Sequence, residues 1–403
     1  MAESWDPNRR MLLILSAVAA FAILSSTMSK NPALPLLAES IGADAALVGL
    51  ISAISPIPGI LVSSLAGAYT DRVGRRKVLE ASLLVFATAP FLYLFVTEPW
   101  QLLFVRFYHG FATAVFMPVA MASVADRYGP EQRGEKLALY SSATMVGRFI
   151  APFFGGTLLY IANFSSVYLA CAISGVTALV MSAFIPWGET ADKPIQAKHS
   201  GSTSSALRAV IRDRRIMVTS SMEGLQYYAM GAFEAFLPLY AKSLGMNPFV
   251  IGAIMGVQVV SMLLTKPLLG RLSDRRGREP SIVAGLLAGS LVIFLMPRVE
   301  DVWLLGSLSI VFGITVSSVT ASTSALVSEI AGRTAHGSSI GVLSSVMDIG
   351  HSIGPLATGI VVGAYSYQLG FGIASLMLLL GAAIFSAVFL AGSARRRLRS
   401  SDS

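Results

Sequence analysis

Long apolar stretches, separated by short polar segments, dominate the sequence. Twelve such stretches occur, each long enough to form a membrane-spanning helix of about 20 residues. A helix of that length crosses the bilayer core and satisfies its backbone hydrogen bonds within itself. The pattern therefore predicts an all-α polytopic membrane protein with twelve transmembrane helices. The expected spans, numbered 1 to 12 in chain order, cover residues 11–29, 47–70, 78–96, 101–124, 137–161, 167–187, 216–241, 249–269, 281–296, 303–327, 338–364 and 369–391.

The distribution of Lys and Arg predicts how these helices are oriented. If the N-terminus is cytoplasmic, 24 of the 30 Lys and Arg residues fall in cytoplasmic segments and 3 fall in the opposite loops. Short loops rich in Lys and Arg stay on the cytoplasmic side of a membrane. We therefore expect a multi-pass protein of the plasma (inner) membrane with both termini in the cytoplasm.

The composition narrows the class of protein further. Only 13% of the residues are charged, and the mean hydropathy is +0.68. A soluble domain usually carries about 25% charged residues, so an ordinary soluble enzyme is excluded. The net charge of +8 is explained by the cytoplasmic loops and their attraction to anionic lipid headgroups, so no nucleic-acid partner is expected. The single cysteine, Cys171, provides neither a disulfide nor a cysteine metal site, and we expect no cofactor and no bound metal.

The two halves of the chain repeat each other at an offset of 203 residues. Pro152, for example, matches Pro355, and a charged motif between two spans recurs at the same offset. We therefore expect two pseudo-symmetric six-helix bundles. The N-terminal bundle covers residues 1–187, a cytoplasmic linker covers 188–215, and the C-terminal bundle with a short basic cytoplasmic tail covers 216–403.

The repeated charged motif lies between spans 2 and 3 and again between spans 8 and 9. Glycine permits a tight turn, and an Asp at a span end can accept hydrogen bonds from an Arg or from a helix N-terminus. Positive charge on the cytoplasmic side explains the arginines, but not the Asp and Gly at the same spacing in both copies. We expect both copies to have a structural and gating role. Their residues are Gly67, Asp71, Arg72, Gly74 and Arg75 in the first copy, and Gly270, Asp274, Arg275, Gly277 and Arg278 in the second.

Motifs rich in glycine and proline occupy spans 5 and 11. Small residues allow helices to pack closely, and a proline loosens the backbone for bending. The string from Gly350 to Gly354 also matches the G-x-S-x-G elbow of hydrolases. Because no histidine follows Ser352 and the flanks form an apolar span, hydrolase chemistry is not expected. The motif residues are Gly147, Pro152, Gly155 and Gly156 in span 5, and Gly350, Gly354 and Pro355 in span 11.

Together these motifs resemble those of the major facilitator superfamily, and within it the twelve-span drug:proton antiporter type. The resemblance implies that the loop motif steadies the outward-facing state and that spans 1, 4, 7 and 10 line a central cavity. In span 4, Arg106 is similar to the family's membrane-embedded arginine, and His109 stands where the family usually has Gln. Span 5 departs from the family pattern at Ala151, where Gly is usual, and at the charged Arg148. A charge at that position weakens the assumption that the substrate is a lipophilic cation.

Span 7 carries two carboxyl groups on one face. At 100° per residue, Glu223, Tyr227 and Glu234 lie within about 40° of one direction, with the carboxyl groups about 16 Å apart along the axis. Removal from water favours a protonated carboxyl group, which suits proton loading and release. Alternatively, either carboxylate pairs permanently with an Arg as a structural lock. In span 11, Asp348 and His351 either take part in proton coupling or form a local hydrogen-bonded pair.

Span 4 contains an intramembrane arginine beside a histidine. An Arg within a span costs roughly 2.5 to 3.5 kcal/mol, so Arg106 is expected to face a partner or a wet cavity. His109 either exchanges a proton or packs as a satisfied polar residue.

These observations predict a secondary active transporter, not an enzyme. We expect proton-coupled antiport that exports a small organic molecule by alternating access, with the substrate between the repeats near the membrane midplane. One alternative is a proton-coupled organic-anion transporter, by symport or exchange, suggested by Arg106 and Arg148. Another is a non-transporting membrane sensor on the same fold. The expected partners are the small-molecule substrate, protons and the lipid bilayer, and the protein is expected to be a monomer.

Overall fold

The computed structural model of the protein describes residues 6–59, 74–187 and 201–401. In these ranges the chain forms helices joined by short connections, and no strand occurs. The expected all-α architecture is confirmed. The helices are Pro7–Lys30, Ala33–Ser40, Ala45–Ala53, Arg75–Tyr93, Gln101–Arg127, Pro130–Ile161, Phe164–Ser182, Gly201–Arg212, Arg214–Ser243, Pro248–Arg276, Arg278–Leu295, Val302–Ala364 and Tyr367–Ser401, with a 3₁₀ turn at Met296–Arg298.

The beginnings of several helices follow from short polar side chains that cap them. The Asp44 carboxylate accepts a hydrogen bond from the backbone N–H of Leu47 at 2.8 Å, and Asn163 does the same for Ser166 at 2.9 Å. Asp301 caps the helix that follows it in the same way. Such caps satisfy backbone donors that have no partner within the first turn of a helix.

The longest helical run contains two of the expected spans. Within Val302–Ala364, Gly332 has a non-helical backbone with φ of 62°, which glycine adopts readily. The run therefore divides into Val302–Gly332 and Ala335–Ala364, both long and apolar enough to cross a membrane. These segments correspond to spans 10 and 11.

Nine helical segments in the described ranges are long and apolar enough to span a membrane. They correspond to spans 1, 4, 5, 6, 8, 9, 10, 11 and 12. Spans 3 and 7 form the helices Arg75–Tyr93 and Arg214–Ser243, which are not among these nine segments. Span 2 is described only in part, beginning with the helix Ala45–Ala53. The prediction of an all-α polytopic membrane protein is confirmed.

The chain divides into two compact units. The first comprises Met1–Lys198 and Ala241–Gly256, and the second comprises His199–Tyr240 and Val257–Ser403. In the first unit, span 1 packs against spans 5 and 6, and span 3 packs against spans 4 and 6. In the second unit, span 9 packs against span 12 and against the long helical run that holds spans 10 and 11.

Repeat-related glycines bring two spans of each unit into backbone contact. In the first unit, Gly147 of span 5 lies against span 1, where an added Cβ would stand 2.9 Å from the backbone nitrogen of Leu24. In the second unit, Gly350 of span 11 lies against Gly224 of span 7. Gly147 and Gly350 are separated by the repeat offset of 203 residues. These contacts position the residue that follows each glycine, Arg148 in one unit and His351 in the other.

The first unit also contains the connection that leads into span 8. Gly156 of span 5 lies against Gly252, and a Cβ added at either glycine would stand 2.9 Å from the other's Cα. Lys242 pairs with Glu39 at 2.7 Å between Nζ and Oε2. Gly156 therefore serves as a close-packing position, as expected of small residues in a membrane helix.

Candidate functional site

An acid and a histidine from different spans meet in the second unit. Nε2 of His351 lies 3.0 Å from Oε2 of Glu234, and the two side chains are 18% and 13% exposed. The ring of Tyr227 is centred 5.7 Å from the His351 ring. The approach of span 11 to span 7 depends on Gly231, because a Cβ there would stand 2.8 Å from the His351 carbonyl oxygen. Glu234, His351 and Tyr227, which we call the acid–histidine site, thus lie together.

The acid–histidine site has the composition of a proton-exchange site. A carboxyl group and an imidazole at hydrogen-bond distance can hold a proton between them or release it as a pair. Sequence reasoning left His351 with two possible roles, coupling or a local pair with Asp348. The structure places it against Glu234 of another span, while Asp348 lies partly buried one turn away on span 11.

The second carboxyl group of span 7 is buried deeper. Glu223 is 5% exposed, and the hydroxyl of Thr323 in span 10 donates a hydrogen bond to it. The charge of Lys266 in span 8 also acts on this carboxyl group. Gln226, one turn away, is fully buried, and within the described residues neither of its amide atoms has a hydrogen-bond partner. Glu223 therefore lies in a polar interior region of the second unit.

Arg106 and His109 lie in a buried aromatic cluster of the first unit. They are 3% and 1% exposed. The hydroxyl of Tyr93 lies near Arg106 and 3.5 Å from Nδ1 of His109. Tyr93 stacks on Tyr168 at 4.4 Å, and His109 contacts the ring of Phe86 edge-on at 5.9 Å. Both polar residues are therefore buried among aromatic rings of spans 3, 4 and 6.

The repeated charged motif is described in its second copy and partly in its first. Gly67, Asp71 and Arg72 lie outside the described residues. Gly74 and Gly277 begin spans 3 and 9 with φ of 93° and 102°, values that favour glycine. In both copies a helix therefore begins directly after a glycine that makes the turn.

The arginines after these glycines form ion pairs with acids at the ends of neighbouring spans. Arg75 pairs with Asp126, and Arg278 pairs with Asp274 and with Glu329, the latter at 3.0 Å. Sequence reasoning missed Asp126 and Glu329 as partners. They are separated by 203 residues, as Arg75 and Arg278 are, so the repeat offset was the signal that could have identified them.

Known proteins match the chain over almost its full length. A family model described as Major Facilitator Superfamily matches residues 15–247 and 219–402. Multidrug resistance protein MdtG of Enterobacter lignolyticus (strain SCF1) is 26% identical over 411 residues, which cover 98% of this chain and 93% of that protein. MdtG of Citrobacter koseri (strain ATCC BAA-895 / CDC 4225-83 / SGSC4696) is 25% identical over 375 residues, covering 91% of this chain and 90% of that protein.

Solved structures show the same fold at low sequence identity. The nucleoside transporter NupG has a TM-score of 0.79 at 16% identity, covering 94% of this chain and 99% of that one. A bacterial homologue of the human lysosomal transporter Spinster also has a TM-score of 0.79 at 16% identity, covering 95% of this chain and 97% of that one. Because a family model covers nearly all of its length, the chain belongs to the Major Facilitator Superfamily of membrane transporters, which are not enzymes.

Proposed function

We propose that the protein exports a small organic molecule in exchange for protons. The observation that supports this most is the acid–histidine site, where Glu234 and His351 stand 3.0 Å apart in membrane helices. Ionisable residues within spans are rare and mark proton relays or substrate paths. The relatives named multidrug resistance protein MdtG support export of organic molecules as the direction and class of transport.

The proposed mechanism is alternating access between two six-span halves. Residues 1–187 and 216–403 rock about a central site, with 188–215 as a cytoplasmic linker and both termini in the cytoplasm of an inner-membrane monomer. Binding of the organic molecule on one side lowers the affinity of the acid–histidine site for its proton. By thermodynamic reciprocity, proton binding on the other side then lowers the affinity for the organic molecule. Each passage of substrate outward therefore accompanies a proton inward.

The direction of proton flux distinguishes antiport from the alternatives. Purified protein is reconstituted into vesicles with an acidic lumen that contains the pH dye pyranine. Norfloxacin, ethidium or fluorescein is then added outside, as zwitterionic, cationic and anionic probes. Antiport predicts that the lumen becomes more alkaline as a probe enters, whichever way the protein is inserted.

The control is the same recording on vesicles without protein. Acidification of the lumen on probe addition would contradict antiport and indicate symport. Probe entry with no change in lumen pH would show transport without proton coupling. No flux of any probe above the protein-free vesicles would favour a sensor that does not transport.

A further inference from the structure

Arg148 is a charged residue in the interior of a membrane helix, yet its side chain is exposed. It lies beyond the middle of the helix Pro130–Ile161, which forms span 5. The residue before it, Gly147, is buried against span 1. An exposed arginine at this depth faces either lipid or water, and the geometry of the helix separates these two cases.

The lipid-facing side of span 5 is identified by its exposed apolar residues. Val146 and Ile150 are 52% and 39% exposed. Each is two residues from Arg148, which places it roughly 160° away around the helix. Arg148 therefore points away from the apolar side that lipid covers.

The direction of Arg148 lies between two packed stripes of the same helix. It is roughly 100° from Gly147, which packs on span 1, and roughly 80° from Gly156, which packs on Gly252. Both stripes belong to the first unit. An exposed arginine that points away from the lipid side is expected to face water.

Within the described residues, no carboxylate forms an ion pair with Arg148. Comparison of the two halves shows which residue stands in the first unit where the second unit has its acid. Arg148 is the counterpart of His351, and Asn31 is the counterpart of Glu234, each at the offset of 203 residues. The second unit thus has a basic residue with its acid, whereas the first has a stronger base and a neutral amide in place of the acid.

We propose that Arg148 binds an oxyanion group, such as a carboxylate, on the organic molecule that the protein transports. This inference rests on the proposed transport of a small organic molecule. A guanidinium group carries its charge at every physiological pH and presents paired N–H donors that match the oxygens of these anions. An arginine inside a span is costly, and an anionic ligand offsets that cost when it occupies the site. His351, at the equivalent place in the other unit, has a protein acid instead and is left for the proton.

The test uses four probes that share a benzyl group and differ in charge. Phenylacetate, benzylphosphonate, benzyl alcohol and benzylammonium are titrated into the purified protein at constant ionic strength, and thermal unfolding is recorded. We expect phenylacetate or benzylphosphonate to raise the Tm, and benzyl alcohol and benzylammonium to leave it unchanged. The two anions separate a carboxylate site from a phosphonate site.

Three variants assign the effect to the residue. Arg148→Gln is expected to lower the apparent affinity for the anionic probe by about tenfold or more, because a hydrogen-bonded charge is lost. Arg148→Lys retains the charge without the paired donors and should keep part of the affinity. Arg133→Gln removes another exposed arginine, from the first turns of the same helix, and should leave the affinity unchanged.

Two results would overturn the inference. One is an anion-dependent Tm shift that persists in Arg148→Gln, and the other is a wild-type protein that responds to neither anion more than to benzyl alcohol. Recording lumen pH on the same proteins separates this inference from the proposed function. Anion binding that depends on Arg148 without any proton flux keeps the inference and rejects antiport. Proton flux without any preference for the anionic probes supports antiport and rejects anion binding at Arg148.

Discussion

Glu234→Gln is expected to reduce pH-gradient-driven probe flux to the level of vesicles without protein. Glutamine has nearly the same size and can still hydrogen-bond His351 across the 3.0 Å gap, but it cannot load or release a proton. The acid–histidine site would therefore stay folded while proton exchange at it stops. Uptake of the probe into proteoliposomes with an acidic lumen measures the effect.

Exchange of labelled for unlabelled probe without a pH gradient provides the control. This exchange needs substrate binding and alternating access but no net proton movement, so Glu234→Gln should retain it. Glu223→Gln and Asp348→Asn are measured beside it. If Glu234→Gln keeps full coupling and Glu223→Gln loses it, the proton is carried by Glu223 and not by Glu234. Full coupling in all three variants would contradict proton transfer through any of these carboxyl groups.

Gly350→Val is expected to destabilise the second unit strongly. A Cβ at Gly350 would stand 2.7 Å from the Gly224 carbonyl carbon and 3.0 Å from its Cα. Real Cβ atoms do not approach a backbone this closely, so spans 7 and 11 would have to separate. Forcing extra carbon atoms into a packed interface typically costs about 1 to 3 kcal/mol. The expected result is a lower Tm and less folded protein recovered from membranes.

Gly341→Val is the matched control, because it makes the same substitution in the same span. A Cβ at Gly341 would have no neighbour within 4 Å, so the Tm should stay near that of the wild type. Equal losses in both variants would indicate that valine is simply unfavourable in span 11. A wild-type Tm in Gly350→Val would contradict the close contact between the two spans.

The spans and the repeat could be predicted because both are visible in the order of residues, without knowledge of which helices pack together. An apolar run of sufficient length has few structures available in lipid, and the offset of 203 residues is visible in the letters alone. The sequence also singled out Glu234 and His351 separately. Their pairing could not be predicted, because it depends on how Gly231 and Gly350 set the distance between spans 7 and 11.

The partners of three other charged groups, Arg75, Arg278 and Arg106, were missed for two different reasons. Asp126 and Glu329 lie at span ends, where acids are ordinary, so only their ion pairs with Arg75 and Arg278 distinguish them. Tyr93 was missed because it lies in the apolar sequence of span 3, although its hydroxyl lies near Arg106. Contacts between side chains of distant segments follow from helix packing, which hydrophobic periodicity does not specify.

Binding of the organic substrate is proposed to lower the affinity of the acid–histidine site for its proton. The most direct test measures proton release when the probe with the largest flux is added to purified protein in weakly buffered detergent solution. Calorimetry on the same samples confirms that the probe binds. The wild type is expected to release protons on binding, and Glu234→Gln is expected to bind the probe without releasing any. Probe binding to the wild type with no proton release would contradict this coupling.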